Sequence, residues 1–282
     1  MLTNSFQHIP GIGAATEQQL WASGLLNWQQ IESGNRLKIS PKRFETIAAY
    51  TRTALDHIES NNPTYFVKLL PAKEHWRLFN EFRESTAYID IETTGIRSYG
   101  FEITTIALFD GKNIQYYIQG QNLEDFIEDI QNYNVIVTYN GKTFDVPFIE
   151  EQFGIQLNHA HIDLRYVLKS LGYSGGLKHC EKALGLDRGD LDGVDGYFAV
   201  FLWHDYQHNK NEKALETLLA YNIEDVVNLE TLMVMAYNMK IKNTPFNATH
   251  ELPLPKMPQI PFKPDLQTID RIKTTMIDAY DY

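Results

Sequence analysis

The stretch Ala87-Tyr88-Ile89-Asp90-Ile91-Glu92-Thr93-Thr94-Gly95 constrains this chain more than any other. Tyr88, Ile89 and Ile91 give it the aromatic and β-branched character of a buried strand. Asp90 and Glu92 interrupt it. Residues two apart on a strand point to one face, so the two carboxylates project side by side, about 7 Å apart at their Cα atoms. Bare carboxylates that close repel each other and resist desolvation. A divalent cation between them relieves both problems, and carboxylate oxygens are the ligands that Mg2+ and Mn2+ prefer. The competing explanation is an edge strand with an ordinary polar face.

The chain has 282 residues, 43% of them hydrophobic, enough for one large domain plus a small one. It has no run of about 18 apolar residues, so no membrane span is expected. Its first residues lack the basic start and apolar core of a signal peptide. A single cysteine, Cys180, leaves no internal disulfide and no multi-cysteine zinc site. The expectation is a cytoplasmic protein, with Cys180 packed as a small hydrophobe on a helix. The net charge of −11 taken alone argues against nucleic acid as a partner. Its distribution is uneven: residues 1–84 carry 9 Lys+Arg and 8 Asp+Glu, and the remainder 16 and 28. The acidity therefore travels with the carboxylate strand, and a polyanion would have to be held by local contacts.

Residues 1–62 read as a small all-helical domain. Ile9-Pro10-Gly11-Ile12-Gly13 is a Gly-rich turn opening a helix from Ala14 to Ser23, which Gly24 can end. Leu26 to Ile31 and Pro41 to Ile58 read as further helices, the second capped by Ser40 with Pro41 at its first position. Residues 63–85 lead in to an α/β unit over 86–240. In it, strands are expected at Glu102 to Phe109, Asn113 to Gln119 and Asn134 to Tyr139, with a short one at His161 to Leu164. Helices are expected at Leu123 to Gln131, Thr143 to Phe153, Leu177 to Leu184, Tyr197 to His208 and Glu212 to Tyr237. Strands first, then alternation, then helices, imply an α/β layer fold with a mixed sheet. Residues 241–282 form a proline-rich tail, extended from Thr244, with a closing helix at Leu266 to Tyr280.

Two more carboxylates draw notice. Asp145 lies in the first turn of a helix placed directly after a strand, hence at the carboxyl end of the sheet, where α/β folds keep their sites. On its own, an acid there is explained by the helix macrodipole. Asp225 shares a helix face with Tyr221, Leu218 and Leu229, which should look inward. An inward Asp needs a partner, either a metal or a hydrogen bond within the core. Glu224 points elsewhere and reads as solvated.

Taken together, Asp90-x-Glu92, Asn140-Gly141-x-x-Phe144-Asp145 and Tyr221-x-x-x-Asp225 resemble the three-motif pattern of the DEDD superfamily of 3′–5′ exonucleases. Tyrosine four residues before the last aspartate is similar to the DEDDy subgroup. The pattern looks like the bacterial ribonuclease-H-like family related to the proofreading domain of family B DNA polymerases, over roughly Thr86 to Asn238. The resemblance implies a ribonuclease-H-like mixed sheet flanked by helices, two Mg2+ or Mn2+ ions, and phosphodiester hydrolysis. It also assigns roles. Asp90, Glu92 and Asp225 would hold one ion, Asp90 bridging, and Asp145 would help hold the second through water. Tyr221 would orient the attacking water. Thr93, Thr94 and backbone near Gly95 would meet the terminal nucleotide, and Asn140 and Phe144 would shape the pocket by hydrogen bonding and stacking. Separately, the Pro10-Gly11-Ile12-Gly13 turn resembles a helix-hairpin-helix motif, which implies that Gly11 and Gly13 offer N–H groups to a phosphate; a hairpin used only for packing is the alternative.

The expected partner is nucleic acid at a single-stranded end, DNA or RNA, with no membrane involved. His161 and Asp163 fit a short strand near the site or a purely structural role. Lys178 fits a phosphate contact or a solvated surface. Asp190, Asp192 and Asp195 lack the ligand spacing of a calcium loop, and His204 and His208 lack a third zinc ligand. Two rivals remain: a non-catalytic nucleic-acid-binding module that retains the fold, and an enzyme for small nucleotides.

Overall fold

The computed structural model describes residues 1–32, 39–95 and 100–280. The chain opens with α1 (Ala14–Ala22), α2 (Gln29–Glu32), α3 (Pro41–Glu59) and α4 (Thr64–Leu69). A 3-10 turn at Ala72–Leu78, α5 (Phe79–Phe82) and a second 3-10 turn deliver it to β1 (Thr86–Thr93). Strands β2 (Ile103–Phe109) and β3 (Ile114–Ile118) follow, then α6 (Phe126–Asp129), β4 (Val135–Thr138), α7 (Asp145–Phe153) and β5 (Ala160–Asp163). The rest is helical: α8 (Leu164–Lys169), α9 (Leu177–Ala183), α10 (Gly196–Asn209), α11 (Glu212–Ile241), α12 (Asn247–His250) and α13 (Leu266–Tyr280).

The strands form one mixed sheet in the order β3-β2-β1-β4-β5. β1 pairs antiparallel with β2 and parallel with β4, so it is the central strand. β4 and β5 are also parallel. Strand alternation assigns the faces. Ile89 and Ile91 of β1 join a core under α6 and α7 with Phe126 and Ile149. Tyr88 faces the other way, into a core with Leu218, Leu229 and Tyr237 of α11. Asp90 and Glu92 share the parity of Tyr88, which turns both toward α11. That helix is buried nearly all round, as expected of a helix apolar on every side.

The sequence reading of the elements holds for the sheet and for α3, where the Ser40 side chain accepts from the Arg43 amide. Gly24 ends the α1 region with a positive φ of 94°, and the Leu25 amide reaches back to the Leu20 carbonyl. Two expectations need adjustment. The helix expected from Leu26 is the single turn α2, because the Gln30 side chain occupies the Leu26 and Asn27 amides. The helix expected over Leu123 to Gln131 is a 3-10 turn, one α turn and a second 3-10 turn. Ahead of the Gly11 turn stands only a 3-10 turn, Leu2–Asn4.

The N-terminal helices and the α11 face of the sheet share a continuous apolar core. A buried ion pair fixes them: Arg77 meets Glu17 at 2.9 Å, and Glu17 also accepts from the Ser5 hydroxyl and the Phe6 amide. From Leu252 the chain runs extended along α11, where the Leu252 amide and carbonyl both bond the Asn238 side chain. Farther on, the Asp265 amide donates to Thr217, and Arg271 of α13 pairs with Asp205 of α10.

His8 is a weak point in this core. It is 1% exposed between Trp28 and Phe66, and neither ring nitrogen has a partner. Burial, helped by the Arg77 charge, pulls its pKa down to about 3. The unfolded imidazole protonates near 6.5 and the folded one near 3, so stability is lost as pH falls through that window. His8→Phe is expected to raise stability at neutral pH by roughly 1–3 kcal/mol, by removing two unpaired buried groups. It should also lose less stability on acidification than the wild type. Urea denaturation at neutral and mildly acidic pH checks both, and parallel declines would contradict the assignment.

Candidate active site

β1 outruns its parallel neighbour. Its pairing with β4 reaches only Tyr88↔Val137, so the outer half of the strand is open on that side. Asp145, at the first position of α7, fills the gap by accepting from the Ile91 amide at 3.2 Å. Its placement depends on the turn before it. Asn140 adopts φ 69°, its amide donates to Asp163, and the Lys142 amide donates to the other Asp163 oxygen. The Gly141 amide donates to the Thr138 hydroxyl, and a Cβ on Gly141 would lie 2.3 Å from that oxygen. Only glycine lets the turn close there.

On the α11 face, Asp90, Glu92 and Asp225 converge, with one carboxylate oxygen of each within 4.8 Å of the others. Glu92 and Asp225 are buried, and Asp90 keeps partial access. Asp145 belongs to the same end of β1 but stands outside this triad, tied to the strand backbone. Burial pushes the Asp90 and Glu92 carboxyls well above the usual range, and the neighbouring carboxylates push further. Burial also raises Asp145 to about 7. Asp225 is raised by burial and held back by Arg188 and Lys178. Three clustered carboxylate oxygens are the donor chemistry of a hard divalent cation, and Asp90, Glu92 and Asp225 could hold one.

Tyr221 sits one helical turn before Asp225, buried, and burial together with the nearby carboxylates raises its phenol well above 10. The Lys178 ammonium donates to its oxygen and lies 4.1 Å from its ring centroid. The phenol therefore keeps its own proton to give.

The remaining anticipated residues divide. Thr93 is buried and donates to the Gly95 carbonyl at 2.8 Å. Thr94 closes the β1–β2 end, bonding Glu102 through both its amide and its hydroxyl. Asn140 accepts from Thr143 and from Arg165, and Phe144 packs on Phe148 at 4.9 Å. Gly11 and Gly13 are not with the carboxylates. Gly11 lines a separate cavity of about 330 Å3 with Ser40, Lys42 and Arg43, and Gly13 precedes α1. Glu224 is half-buried rather than fully solvated: burial raises its carboxyl to about 7, and one oxygen is buried with no partner.

Sequence reasoning passed over Asn222 and Arg188. Asn222 donates to Asp90 at 2.7 Å and accepts from Thr105, so it fixes the Asp90 carboxylate to the sheet. Its position beside Tyr221, three before Asp225, was the available signal. Arg188 pairs with Asp225 and with Glu181. It is the lone base in the acidic run Asp187 to Asp195, which marks it as unusual but does not reveal its partner.

These carboxyls hold protons when folded that they release when unfolded. Asp145 titrates near 7 in place of 3.8, so the stability it contributes in acid is lost as pH rises through about 7. In EDTA, Asp90→Asn is expected to melt several degrees above the wild type, by a gap that widens as pH rises above the ordinary carboxylate range. Mn2+ should raise the wild-type Tm and leave the variant unmoved. Differential scanning fluorimetry reads both, and a gap that closes with rising pH would refute the charge-crowding account.

No curated protein matches the chain in sequence. Among solved structures it is similar to the family B DNA polymerase of the hyperthermophilic archaeon Pyrobaculum calidifontis, at 14% identity and a TM-score of 0.36. That similarity covers 55% of this chain and 29% of the polymerase, so the chain spans less than a third of the relative's length. The RNase H superfamily pattern matches residues 87–237, from the second residue of β1 nearly to the end of α11, and the chain belongs to the RNase H superfamily.

Proposed function

We propose that this protein is a cytoplasmic, metal-dependent 3′–5′ exonuclease of the DEDDy type, acting on single-stranded ends of DNA or RNA. The observation that carries the reading is the convergence of Asp90, Glu92 and Asp225 beside a buried Tyr221, within a stretch that belongs to the RNase H superfamily. Asp90, Glu92 and Asp225 would hold one cation, and Asp145, through water, would help hold a second. When bound, two divalent cations supply Lewis acidity, activating water and stabilising the leaving oxygen.

The chain's own residues do the rest. Asn222 keeps the Asp90 carboxylate turned toward the cluster. Tyr221 is a proton donor at neutral pH, so it orients the attacking water by hydrogen bonding and does not act as a base. Lys178 fixes the phenol's rotation from behind. Asn140 has its oxygen engaged by Thr143 and Arg165, which leaves its amide N–H groups for the terminal nucleotide. Phe144 offers a partly exposed ring for a terminal base to stack on. The Gly11 turn, facing Lys42 and Arg43, would hold backbone phosphate in the manner of a helix-hairpin-helix.

The deciding measurement is degradation of 3′-labelled and 5′-labelled single strands of DNA and RNA with Mg2+, Mn2+ or EDTA. Stepwise shortening from the 3′ end is expected, dependent on metal and absent in Asp90→Ala and Asp225→Ala proteins that retain their fold. Tyr221→Phe should slow the reaction by about 100-fold or more. Retained binding without cleavage would favour the non-catalytic module, and equal cleavage by the Asp90→Ala protein would refute the assignment.

A further inference from the structure

Arg188 precedes a 3-10 turn, Gly189–Leu191, in the connection between α9 and α10, and its guanidinium reaches into the carboxylate cluster. Glu181 of α9 anchors it with two bonds, Nε to Oε2 at 2.7 Å and Nη2 to Oε1 at 3.0 Å. Asn228 of α11 holds Glu181 in turn at 2.8 Å. From this mount Nη2 also pairs with Oδ1 of Asp225. The guanidinium carbon lies 5.6 Å from the Tyr221 ring centroid. The remaining nitrogen, Nη1, is buried and has no acceptor.

Two features of this arrangement exceed what a structural ion pair needs. Glu181 alone would satisfy the charge of Arg188, yet the guanidinium is shared with a member of the carboxylate triad. A buried N–H donor without an acceptor is also costly to keep. A guanidinium suits a phosphate oxygen, which it meets with fixed, planar donors.

We infer that Arg188 is the resident counter-ion of the carboxylate cluster and a substrate-positioning residue: it neutralises Asp225 before a cation binds, and its free Nη1 takes a phosphate oxygen of the strand to be cut. This rests on the nuclease reading. It carries a consequence that a purely structural Arg188 would not. The guanidinium competes with a divalent cation for the charge of Asp225, so its loss strengthens cation binding and weakens substrate binding. A structural residue would weaken both on removal.

The test uses the full chain in three forms: wild type, Arg188→Lys, and the double variant Glu181→Gln/Arg188→Met, which removes both charges of the buried pair and strands neither. Calorimetry measures Mn2+ binding without nucleic acid. Fluorescence anisotropy measures binding of a labelled oligothymidylate in Ca2+. The double variant is expected to bind Mn2+ about tenfold more tightly and the oligonucleotide about tenfold more weakly, in the range of close charge pairs. Arg188→Lys keeps the charge without the planar fork and should fall between wild type and double variant on both scales. Mn2+ affinity that is unchanged or lower in a folded double variant overturns the counter-ion role, and unchanged oligonucleotide affinity overturns the positioning role. Should the double variant not fold, Arg188→Lys decides, and equality with wild type on both scales overturns the inference. A wild type that binds no Mn2+ overturns the nuclease reading itself, which separates the two failures.

Discussion

Three carboxylates compressed at the mouth of a buried strand are the constraint around which this molecule is built. Unpaired, Asp90, Glu92 and Asp225 repel one another and lose hydration together, an arrangement no fold adopts for stability. The surroundings read as devices for tolerating it. Asn222 ties Asp90 to β2 through Thr105. Arg188 and Lys178 bring positive charge to Asp225 and Tyr221. The register of β1 against β2 shifts between Glu92 and Thr93, where the strand leaves the regular ladder. The protein accepts local instability at this end of the sheet, and continuous apolar packing elsewhere offsets it.

Much of this was legible in the sequence. Period-two alternation in Ala87 to Thr93 assigned both faces of the central strand, and the helical spacing of Tyr221 and Asp225 put them on one inward face. The Asn140-Gly141 turn signalled how Asp145 would be delivered. What escaped had a common cause. Arg188 and Glu181 are seven apart in sequence, but their link to Asp225 depends on how α9 and α10 pack against α11, which no local pattern encodes. Glu224 was misread because burial of that face of α11 comes from neighbouring segments and not from its own helix. The broken stretch from Leu123 has a helix-like composition, and its packing under β3 overrode it.

The N-terminal helices present a different lesson. Their Gly-rich turn was read from five residues, and a 3-10 turn stands ahead of it. Its apolar residues, Ile9, Ile12, Leu20 and Leu25, are all buried, so composition alone accounts for their role in packing. The basic residues opposite the turn, Lys42 and Arg43, belong to α3 and come near through tertiary structure. The electrostatic balance between the halves of the chain thus reappears in space: neutral-to-basic helices beside an acidic α/β body.

The first residues meet the segment that follows α11. The Asn4 side chain bonds Leu26 on one side and His250 on the other, a contact spanning 246 residues, and Phe246 packs edge-on against Trp21. Such closure has a kinetic meaning. During synthesis from the N-terminal side, Asn4 and Trp21 cannot make these contacts until the segment beyond α11 has been added, so they wait on residues far downstream. Contacts of that span form late in folding, and interactions made after the rate-limiting step chiefly slow unfolding. The junction of Asn4 and His250 is a clasp, and its effect is measured in the lifetime of the folded state more than in its depth.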